Sequence, residues 1–434
     1  MSRLDRLAGL LQCPNCNAAS WASSGTEFEG RLTCTACAAV YVSARGVLDL
    51  DGIDKDPQVA AERAAVRSTE QSPGLGGIND AFDDLANAQG ELRDALLALP
   101  HGNTSRYYRE PGYFSNVRGA VSGFDFIVNH LDLQPGHRLL DLGADVTWST
   151  SHFARRGLDC TAVDINDHLP VGHLFGQHYD APYHLVRADM RRVSFRPSTF
   201  DIVVAMHALH HNPELAGVAG NIARILKPGG QLAFVEPYCK DEAAKRAFGL
   251  EQIAVGISEQ TYLLEEWHDA FATVGLEVEW LSACESFCAV YRKRPDSPRA
   301  RPGGIEGLFH GAYAGRVAID SGATTVEAGV PWTLPITVTN TSNAVWCSAS
   351  QFPVYASYHL HRQTERGEEA VEFDNVRTRL PQAIAPGQDL RLALEIAAIE
   401  TPGRYVAHID LVHEGVSWFA AHGFGAITFP FTVR

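Results

Sequence analysis

The sequence predicts a multidomain α/β protein, in which a doubly wound parallel sheet follows a small cysteine-rich ribbon and precedes a β-sandwich. Three observations support this fold class. An apolar strand, RLLDL, ends at Gly143, and a second, CTAVD, ends at Asp164 about twenty residues later. Four cysteines near the N-terminus form two CxxC pairs, and short alternating strands separated by turn residues follow residue 318.

Length and composition limit the classes of protein that fit. A chain of 434 residues with 45% hydrophobic residues is long enough for two or three domains with real cores. The formal net charge is −15 and no long cluster of Lys and Arg occurs, so we expect no nucleic-acid partner. No signal peptide and no bilayer-length apolar run is found, which favours a cytoplasmic protein without a membrane span.

Residues 1–52 are predicted to form a metal-binding ribbon. Its CxxC pairs are seventeen residues apart, a spacing that can set four thiolates at the corners of a tetrahedron, as Zn²⁺ requires. All four would bind the ion, so the site is structural rather than catalytic. The predicted ligands are Cys13, Cys16, Cys34 and Cys37. The segment resembles the small zinc ribbons found beside or fused to methyltransferases. The alternative is a disulfide pair or unrelated free thiols.

The other five cysteines lie scattered in apolar contexts, which is typical of free thiols in a reducing compartment. They are Cys160, Cys239, Cys284, Cys288 and Cys347.

Residues 53–104 are predicted to be a helical linker. Its clearest element is an amphipathic helix over Ala81–Leu99. The next stretch is rich in aromatic residues and is predicted either to cover a bound cofactor or to pack against the following helix. These aromatic residues are Tyr107, Tyr108, Tyr113 and Phe114.

The segment 105–293 carries an ordered set of motifs: the two strands already described, RADM at 187–190, FDIVVAMHALHH at 200–211 and LKPGG at 226–230. An acid at the tip of the second strand, Asp164, can accept hydrogen bonds from both hydroxyls of a ribose. Together these motifs resemble the class I S-adenosylmethionine-dependent methyltransferases. The resemblance implies a Rossmann-like methyltransferase core and S-adenosylmethionine as cofactor.

The resemblance also implies which residues bind the cofactor. Asp141 would reach the methionine moiety, Asp164 the ribose, and Asp189 the amino group of the adenine. The full implied set lies at strand ends: Asp141, Gly143, Ala144, Asp164, Ile165, Asp189, Met190 and His207.

One departure from the family concerns the loop after the first strand, which usually carries three alternating glycines. Here Asp145 and Thr147 replace the second and third glycine. Glycine suits backbone with positive φ, and Asp is among the few other residues that tolerate it. Either the loop works in this variant form, or cofactor binding is weakened or lost.

Three residues at the ends of two strands can supply a general base for an acceptor such as an alcohol. His210 and His211 follow the fourth strand, and a histidine titrates near neutral pH. Glu236 follows the fifth strand at the same edge. The alternative is that these side chains cap a helix or pack. Four further histidines, at positions 168, 173, 178 and 184, match no metal-binding spacing and are expected to be packed or solvated.

Residues 294–317 read as a Pro/Arg/Gly linker and 318–434 as a β-sandwich. The last segment resembles an immunoglobulin-like module appended to bacterial enzymes of surface-polysaccharide assembly. The resemblance implies a glycan or protein partner, and it favours a sugar hydroxyl as the methyl acceptor. Five residues form either a sugar-stacking face or sandwich core: Trp346, Tyr358, His359, Trp418 and Phe419.

Two other functions remain open. The acceptor can be a peptide or small natural product, with the sandwich recruiting a carrier. Alternatively, Asp145 prevents the loop from binding the cofactor, and the chain is a binding scaffold without catalysis.

Overall fold

The computed structural model describes residues 2–50, 57, 59–61, 64, 90–100, 113–255, 260–294 and 303–434. The chain divides into two compact units. One consists of Met1–Glu279 and Ser286–Arg301, the other of Trp280–Glu285 and Pro302–Arg434. Among the described residues, no helix combines the length and the apolar character needed to cross a bilayer.

The first unit is built on one large sheet with helices packed on it. Its strands are β1 (Trp21–Gly25), β2 (Glu29–Cys34), β3 (Val40–Ala44), β4 (Val47–Asp49), β5 (Arg138–Leu142), β6 (Asp159–Asp164), β7 (His184–Arg187), β8 (Phe200–Met206), β9 (Leu226–Glu236), β10 (Leu276–Ala283) and β11 (Phe287–Lys293). Its helices are α1 (Arg3–Ala8), α2 (Gly90–Leu97), α3 (Tyr113–His130), α4 (Trp148–Ala154), α5 (Gly172–His178), α6 (Leu215–Ile225), α7 (Glu242–Val255) and α8 (Leu264–Ala272).

The strand order confirms the predicted doubly wound sheet. The sheet runs β1-β2-β3-β4-β7-β6-β5-β8-β9-β11-β10. Strands β4, β7, β6, β5, β8 and β9 pair in parallel, and β11 pairs antiparallel with β9. The chain passes from β5 to β6 on one side and returns to β8 on the other. Ligands of such sheets bind at this reversal, beyond the carboxyl ends of the strands.

The cysteine-rich ribbon belongs to the same sheet. Strands β1, β2 and β3 form an antiparallel meander. Arg45 and Gly46 make the turn into β4 with φ of 52° and 75°, as a tight hairpin turn requires. Strand β4 then pairs in parallel with β7, Val47 opposite Leu185. The ribbon and the doubly wound core therefore form one compact unit.

A buried ion cluster fixes the ribbon beside β7. Glu27 lies between β1 and β2 with 8% of its surface exposed. Its carboxylate binds Arg3 Nε at 2.8 Å and His184 Nδ1 at 3.3 Å. Arg3 also donates to the Tyr183 carbonyl at 2.6 Å. Because these partners come from α1, from the ribbon and from β7, the cluster joins all three.

The second unit consists of two sheets of short strands. One sheet contains β12 (Gly315–Ile319), β14 (Trp332–Asn340) and β18 (Asp389–Ile396). The other contains β13 (Thr325–Val326), β21 (Ile427–Val433), β19 (Gly403–His413), β15 (Val354–Thr364) and β16 (Gly367–Glu372), with β17 (Thr378–Arg379) and β20 (Ser417–Trp418) at its sides. A short helix, α9 (Gly304–Leu308), precedes them.

The five aromatic candidates of this unit divide into two groups. Trp346, Tyr358 and Phe419 are buried in the core, with exposures of 1% or less. His359 and Trp418 instead pack with Phe373, and their ring centroids lie 4.1 and 5.7 Å from that of Phe373. Three of the five residues are therefore core, and no continuous sugar-stacking face combines all five.

The prediction of free thiols was wrong for two cysteines. Cys284 and Cys347 form a disulfide across 63 residues of sequence within the second unit. The backbone brings them together because Leu281 and Ala344 pair as a parallel bridge just before the two cysteines. Cys160, Cys239 and Cys288 are free, as expected.

Candidate functional site

The polar strand ends converge beyond the carboxyl ends of the neighbouring strands β5 and β8. Gly143 follows β5 with φ of 71°. A Cβ atom at Gly143 would lie 2.2 Å from the Cβ of Ala208, which follows β8. Only glycine allows so close an approach. The loops after the two strands therefore meet at the reversal of strand order, where the sequence predicted the cofactor.

The loop after β5 keeps the backbone shape of a glycine loop. Asp145 and Thr147, which replace glycines, have φ of 44° and 66°. The amide of Ala144 donates to the Val163 carbonyl at 3.1 Å, and the amide of Asp145 donates to Asp164 Oδ2 at 2.8 Å. The substituted loop is therefore closed onto the end of β6.

The side chain of Asp145 has its own partners in the segment after β6. Its Oδ1 accepts from Asn166 Nδ2 at 2.8 Å and lies 3.0 Å from His168 Nδ1. These bonds hold the carboxylate and stabilise the unfavourable φ of Asp145. His168 thus has a structural partner, in agreement with the expected packing role.

Asp164 ends β6 and is half-buried. Each of its oxygens accepts one backbone N–H, from Asp145 at 2.8 Å and from Asn166 at 2.9 Å. Burial, together with the nearby charge of Asp145, raises the pKa of Asp164. Ile165, the next predicted cofactor residue, is also half-buried and follows Asp164 directly.

Asp141 is completely buried inside the sheet. Its Oδ2 accepts hydrogen bonds of 2.6 Å from Ser149 and Thr150, both in the first turn of α4. Its Oδ1 has no hydrogen-bond partner among the described residues. Burial raises the pKa of Asp141 to about 6, although the two hydroxyls oppose the shift. The residue thus ties α4 to β5 and keeps one open oxygen.

Asp189 lies at the same edge but is already engaged. Both its oxygens accept from Arg191 Nε, at 3.0 and 2.8 Å, and its Oδ1 accepts the Arg191 amide at 2.8 Å. Its implied role toward the adenine stays a prediction. In this structure its carboxylate accepts hydrogen bonds from Arg191. The Met190 methyl group lies 3.5 Å from the position of a Cβ at Gly143, so Met190 lines the same loop.

Glu236, predicted as a possible base, holds the loop after β8. Its side chain has no exposure. Its Oε1 accepts from the amides of Ala208 and Leu209 at 3.0 and 2.8 Å. Its Oε2 accepts from His210 Nδ1 at 2.7 Å.

These contacts bear on the assignment of Glu236. Burial would raise its pKa, but the hydrogen bond and charge of His210 and the charge of His207 outweigh burial, so the pKa of Glu236 is lowered. A buried carboxylate with a lowered pKa and several donors is poorly suited to take a proton from a bound acceptor. The catalytic role of Glu236 stays a prediction, and its contacts fit the alternative of a packing or positioning side chain.

Two histidines, His210 and His207, act on this carboxylate, and His211 packs beside His210. His207 follows β8 with φ of 51°, and its amide donates to the Val235 carbonyl. His210 is buried, while His211 is half-buried with its ring centroid 4.3 Å from that of His210. The structure links the loop after β5 to the end of β6 through Asp145 and Asp164, and the loop after β8 to the end of β9 through Ala208 and Glu236. Gly143 and Ala208 bring the two loops into contact. Of the aromatic cover, Tyr107 and Tyr108 lie outside the described residues, and so do the side chains of Tyr113 and Phe114.

Sequence reasoning missed the residues that hold these acids. Ser149 and Thr150 bind Asp141, Asn166 binds Asp145, and Arg191 binds Asp189. The contact of Arg191 could have been predicted, because Arg191 follows Asp189 by only two residues in a tight turn. For the others, contact depends on how the loop and α4 fold back on the strands.

The four ribbon cysteines form a compact cluster. The Sγ atoms of Cys13, Cys16, Cys34 and Cys37 all lie within 4.8 Å of one another. Two of the separations are 3.7 Å, between Cys13 and Cys37, and 3.6 Å, between Cys16 and Cys34. Four thiolates about 2.3 Å from a tetrahedral Zn²⁺ are about 3.8 Å apart. The cluster therefore has the size of a four-thiolate metal site.

Comparison with known proteins concerns the central segment. Residues 140–234 match the family model described as "Methyltransferase domain". A sterol 24-C-methyltransferase of Candida albicans is 30% identical over 191 residues, covering 41% of this chain and 48% of that enzyme. A demethylmenaquinone methyltransferase of Corynebacterium urealyticum is 36% identical over 107 residues, covering 24% of this chain and 44% of that enzyme.

Solved structures are also similar to part of the chain. The YcgJ protein of Bacillus subtilis is 17% identical with a TM-score of 0.35, covering 40% of this chain and 99% of its own. The chain spans about half the length of the curated relatives that it matches.

Proposed function

We propose that this chain is an enzyme that transfers a methyl group from S-adenosylmethionine to an acceptor at the carboxyl edge of β5 and β8. The match of residues 140–234 to a methyltransferase-domain family model and the methyltransferases among the relatives support this proposal. The observation that carries the proposal is Asp164, held at the tip of β6 against the loop that begins at Gly143. S-adenosylmethionine supplies an electrophilic methyl group on a positively charged sulfur.

The residues at this edge fit such a cofactor. Each Asp164 oxygen uses one acceptor position for a backbone amide, and a carboxylate offers about four. Two positions therefore remain for the hydroxyls of a ribose. The open Oδ1 of Asp141 is a second unsatisfied acceptor. Asp141, Asp145 and Asp164 together also create a negative potential, which favours a cationic ligand.

The loop substitution does not favour the scaffold alternative. Asp145 adopts the positive φ that glycine would supply, and Asn166 and His168 hold its carboxylate. A loop that keeps its backbone shape can still pass close under a cofactor. We therefore favour a working loop over a degenerate one.

We propose His210 as the base when the acceptor is a hydroxyl. A histidine that donates Nδ1–H to a carboxylate presents Nε2 as the basic nitrogen. The carboxylate of Glu236 lies 2.7 Å from Nδ1 of His210, so Glu236 fixes the ring and its tautomer. His211 is the alternative base, because it is half-buried beside His210.

Three acceptor classes are proposed. A sugar hydroxyl is supported by the resemblance of residues 318–434 to modules of polysaccharide-assembly enzymes. An apolar ring compound is supported by the curated relatives, which are named as methyltransferases of sterols and of demethylmenaquinone. A peptide or small natural product delivered by a carrier remains a further candidate.

Calorimetry and a transfer assay test the proposal. We expect the full chain to bind S-adenosylmethionine and its demethylated product with one site. Label from a methyl-labelled cofactor should then pass to one acceptor class in a panel of glycans, quinols and sterols. If folded protein binds neither cofactor form, the enzyme proposal fails and the scaffold alternative replaces it.

The ribbon is proposed to hold one structural Zn²⁺ on its four thiolates. Replacing Cys34 with Ser should remove the thiolate-bound ion, measured as loss of the thiolate charge-transfer absorption after substitution with Co²⁺. The matched control is Cys239→Ser, because Cys239 is a free cysteine outside the cluster. Unchanged thiolate absorption in Cys34→Ser would contradict the site.

The cytoplasm is the proposed compartment, because four metal-binding thiolates must stay reduced. The Cys284–Cys347 disulfide is an observation against this location. Alkylation of the protein in intact cells, followed by mass spectrometry, tests the redox state of both groups of cysteines.

A further inference from the structure

A second cluster of metal-ligand side chains lies in the second unit. His361 is on β15, Glu368 on β16 and His408 on β19. One possible ligand atom of each lies within 4.8 Å of the others. Nε2 of His408 and Oε2 of Glu368 are 2.7 Å apart, and the rings of His361 and His408 have centroids 4.3 Å apart.

The register of the sheet explains why these side chains meet. His408 lies directly opposite His359, two residues before His361 on the same strand. Side chains two residues apart on a strand share a face, so His361 and His408 are diagonal neighbours. Glu368 lies opposite Gln363, again two residues from His361. Three adjacent strands therefore present the three side chains on one face of the sheet.

His359 is excluded from this cluster by its own contacts. Its Nδ1 hydrogen-bonds the Phe373 carbonyl, and its Nε2 lies 3.7 Å from a carboxylate oxygen of Asp410. Both ring nitrogens are thus engaged within the sheet. The candidate ligands are the three residues farther along the same face.

We propose that His361, Glu368 and His408 bind a divalent metal ion of the zinc class. Two imidazoles and one carboxylate are a set that zinc accepts, with the remaining coordination position left for water. Co²⁺ and Ni²⁺ suit the same imidazole and carboxylate donors. A divalent ion with two neutral imidazoles and one carboxylate keeps a net positive charge. The open position would therefore take water or an anionic group.

The geometry needs only a small adjustment to hold an ion. Two ligand atoms about 2.05 Å from a tetrahedral Zn²⁺ are about 3.3 Å apart, so the His408–Glu368 pair must open by about 0.6 Å. Glu368 can make this movement, because β16 is the edge strand of its sheet and the side chain is 39% exposed. Both histidines stay on β15 and β19, which pair along nine positions.

The site differs from the ribbon cluster in its donor atoms, and this difference allows a clean test. Co²⁺ bound to thiolates gives intense charge-transfer absorption, whereas Co²⁺ bound to imidazole and carboxylate gives only weak visible bands. Titration of the full chain with Co²⁺ should show one equivalent without thiolate absorption, in addition to any ion on the ribbon. This readout is independent of methyl transfer.

Three variants should remove that equivalent while leaving the thiolate absorption unchanged. They are His361→Ala, His408→Ala and Glu368→Gln. We expect the dissociation constant for the thiolate-free equivalent to rise at least about tenfold in each, because changes even to outer-shell partners of metals cost that much. Glu368→Gln keeps the shape of the side chain, so it guards against loss of folding in the histidine variants.

Two matched controls should bind as the unaltered chain does. Glu369→Gln removes the same charge from the next residue of β16, whose side chain lies on the opposite face. His310→Ala removes an exposed histidine elsewhere in the unit. The proposal is wrong if the unaltered chain binds Co²⁺ only with thiolate absorption. It is also wrong if Glu369→Gln weakens binding as much as Glu368→Gln does. In either case the three side chains form only a hydrogen-bonded group on the surface.

Discussion

His210 and Glu236 are joined by a hydrogen bond of 2.7 Å between Nδ1 and Oε2, and the carboxylate of Glu236 is completely buried. The same carboxylate accepts the amides of Ala208 and Leu209. One side chain from β9 therefore fixes both the backbone and a ring of the loop after β8.

Replacing Glu236 with Ala should destabilise the protein. The change leaves buried amide groups and a buried imidazole without their acceptor, and breaking such a pair costs about 3 kcal/mol. Denaturant unfolding measures the loss. Glu214→Ala is the control, because Glu214 is exposed before α6 and makes no capping hydrogen bond with its side chain. Equal stability of the two variants would contradict the positioning role.

Replacing Asp164 with Ala should abolish cofactor binding while the chain stays folded. Loss of two hydrogen bonds from a ribose to a charged group predicts that the dissociation constant for S-adenosylmethionine rises at least about 100-fold. Calorimetry measures the constant, and circular dichroism checks the fold. Asp159→Ala, at the exposed beginning of the same strand, should bind normally. Unchanged affinity in Asp164→Ala would refute the ribose assignment.

Two substitutions at Asp145 separate backbone shape from charge. Asp145→Val places a β-branched residue at φ of 44° and should lower the free energy of unfolding by about 1–2 kcal/mol. Asp145→Gly removes the strain and the charge beside Asp164, and it should retain cofactor binding. Thermal unfolding and calorimetry test both variants. Loss of binding in the glycine variant would show that the carboxylate itself holds the cofactor.

Asp141→Asn should stabilise the protein at pH 7 while weakening cofactor binding. The pKa of Asp141 is raised to about 6 from a usual value of 3.8, so its charge opposes folding above this range. Stability should therefore fall as pH rises from about 4 to about 6, by at most about 3 kcal/mol. Asparagine cannot ionise, so the variant should lack this part of the pH dependence. Urea unfolding at pH 5 and pH 7 gives the comparison.

The sequence predicts the central sheet well because its signals are local. Asp164 and Glu236 each end an apolar strand, and Asp141 is the last residue but one of another. Parallel strands bring their carboxyl ends to one edge of the sheet. The direction of each side chain depends on neighbours that arrive from elsewhere in the fold. Ser149 and Thr150 bind Asp141, and His210 binds Glu236, and none of these contacts follows from the strand pattern.

Features that depend on distant pairing were not predictable in the same way. Strand β4 has three residues, and nothing in Val47–Asp49 indicates that it adds to the large sheet beside β7. The link between Cys284 and Cys347 likewise depends on two segments 63 residues apart. Such contacts carry no periodic signal, because each is a property of two separate segments.

The pairing of β4 with β7 has a practical consequence for recombinant work. A shortened protein that begins at residue 105 would lose Val47–Asp49. The backbone groups of Leu185–Arg187 that pair with this strand would then be unpaired at the edge of the sheet. An exposed edge strand can pair with strands of other molecules. Fragments without the first fifty residues should therefore aggregate at concentrations that the whole chain tolerates. Catalytic constants measured on such fragments would describe a protein with an incomplete sheet.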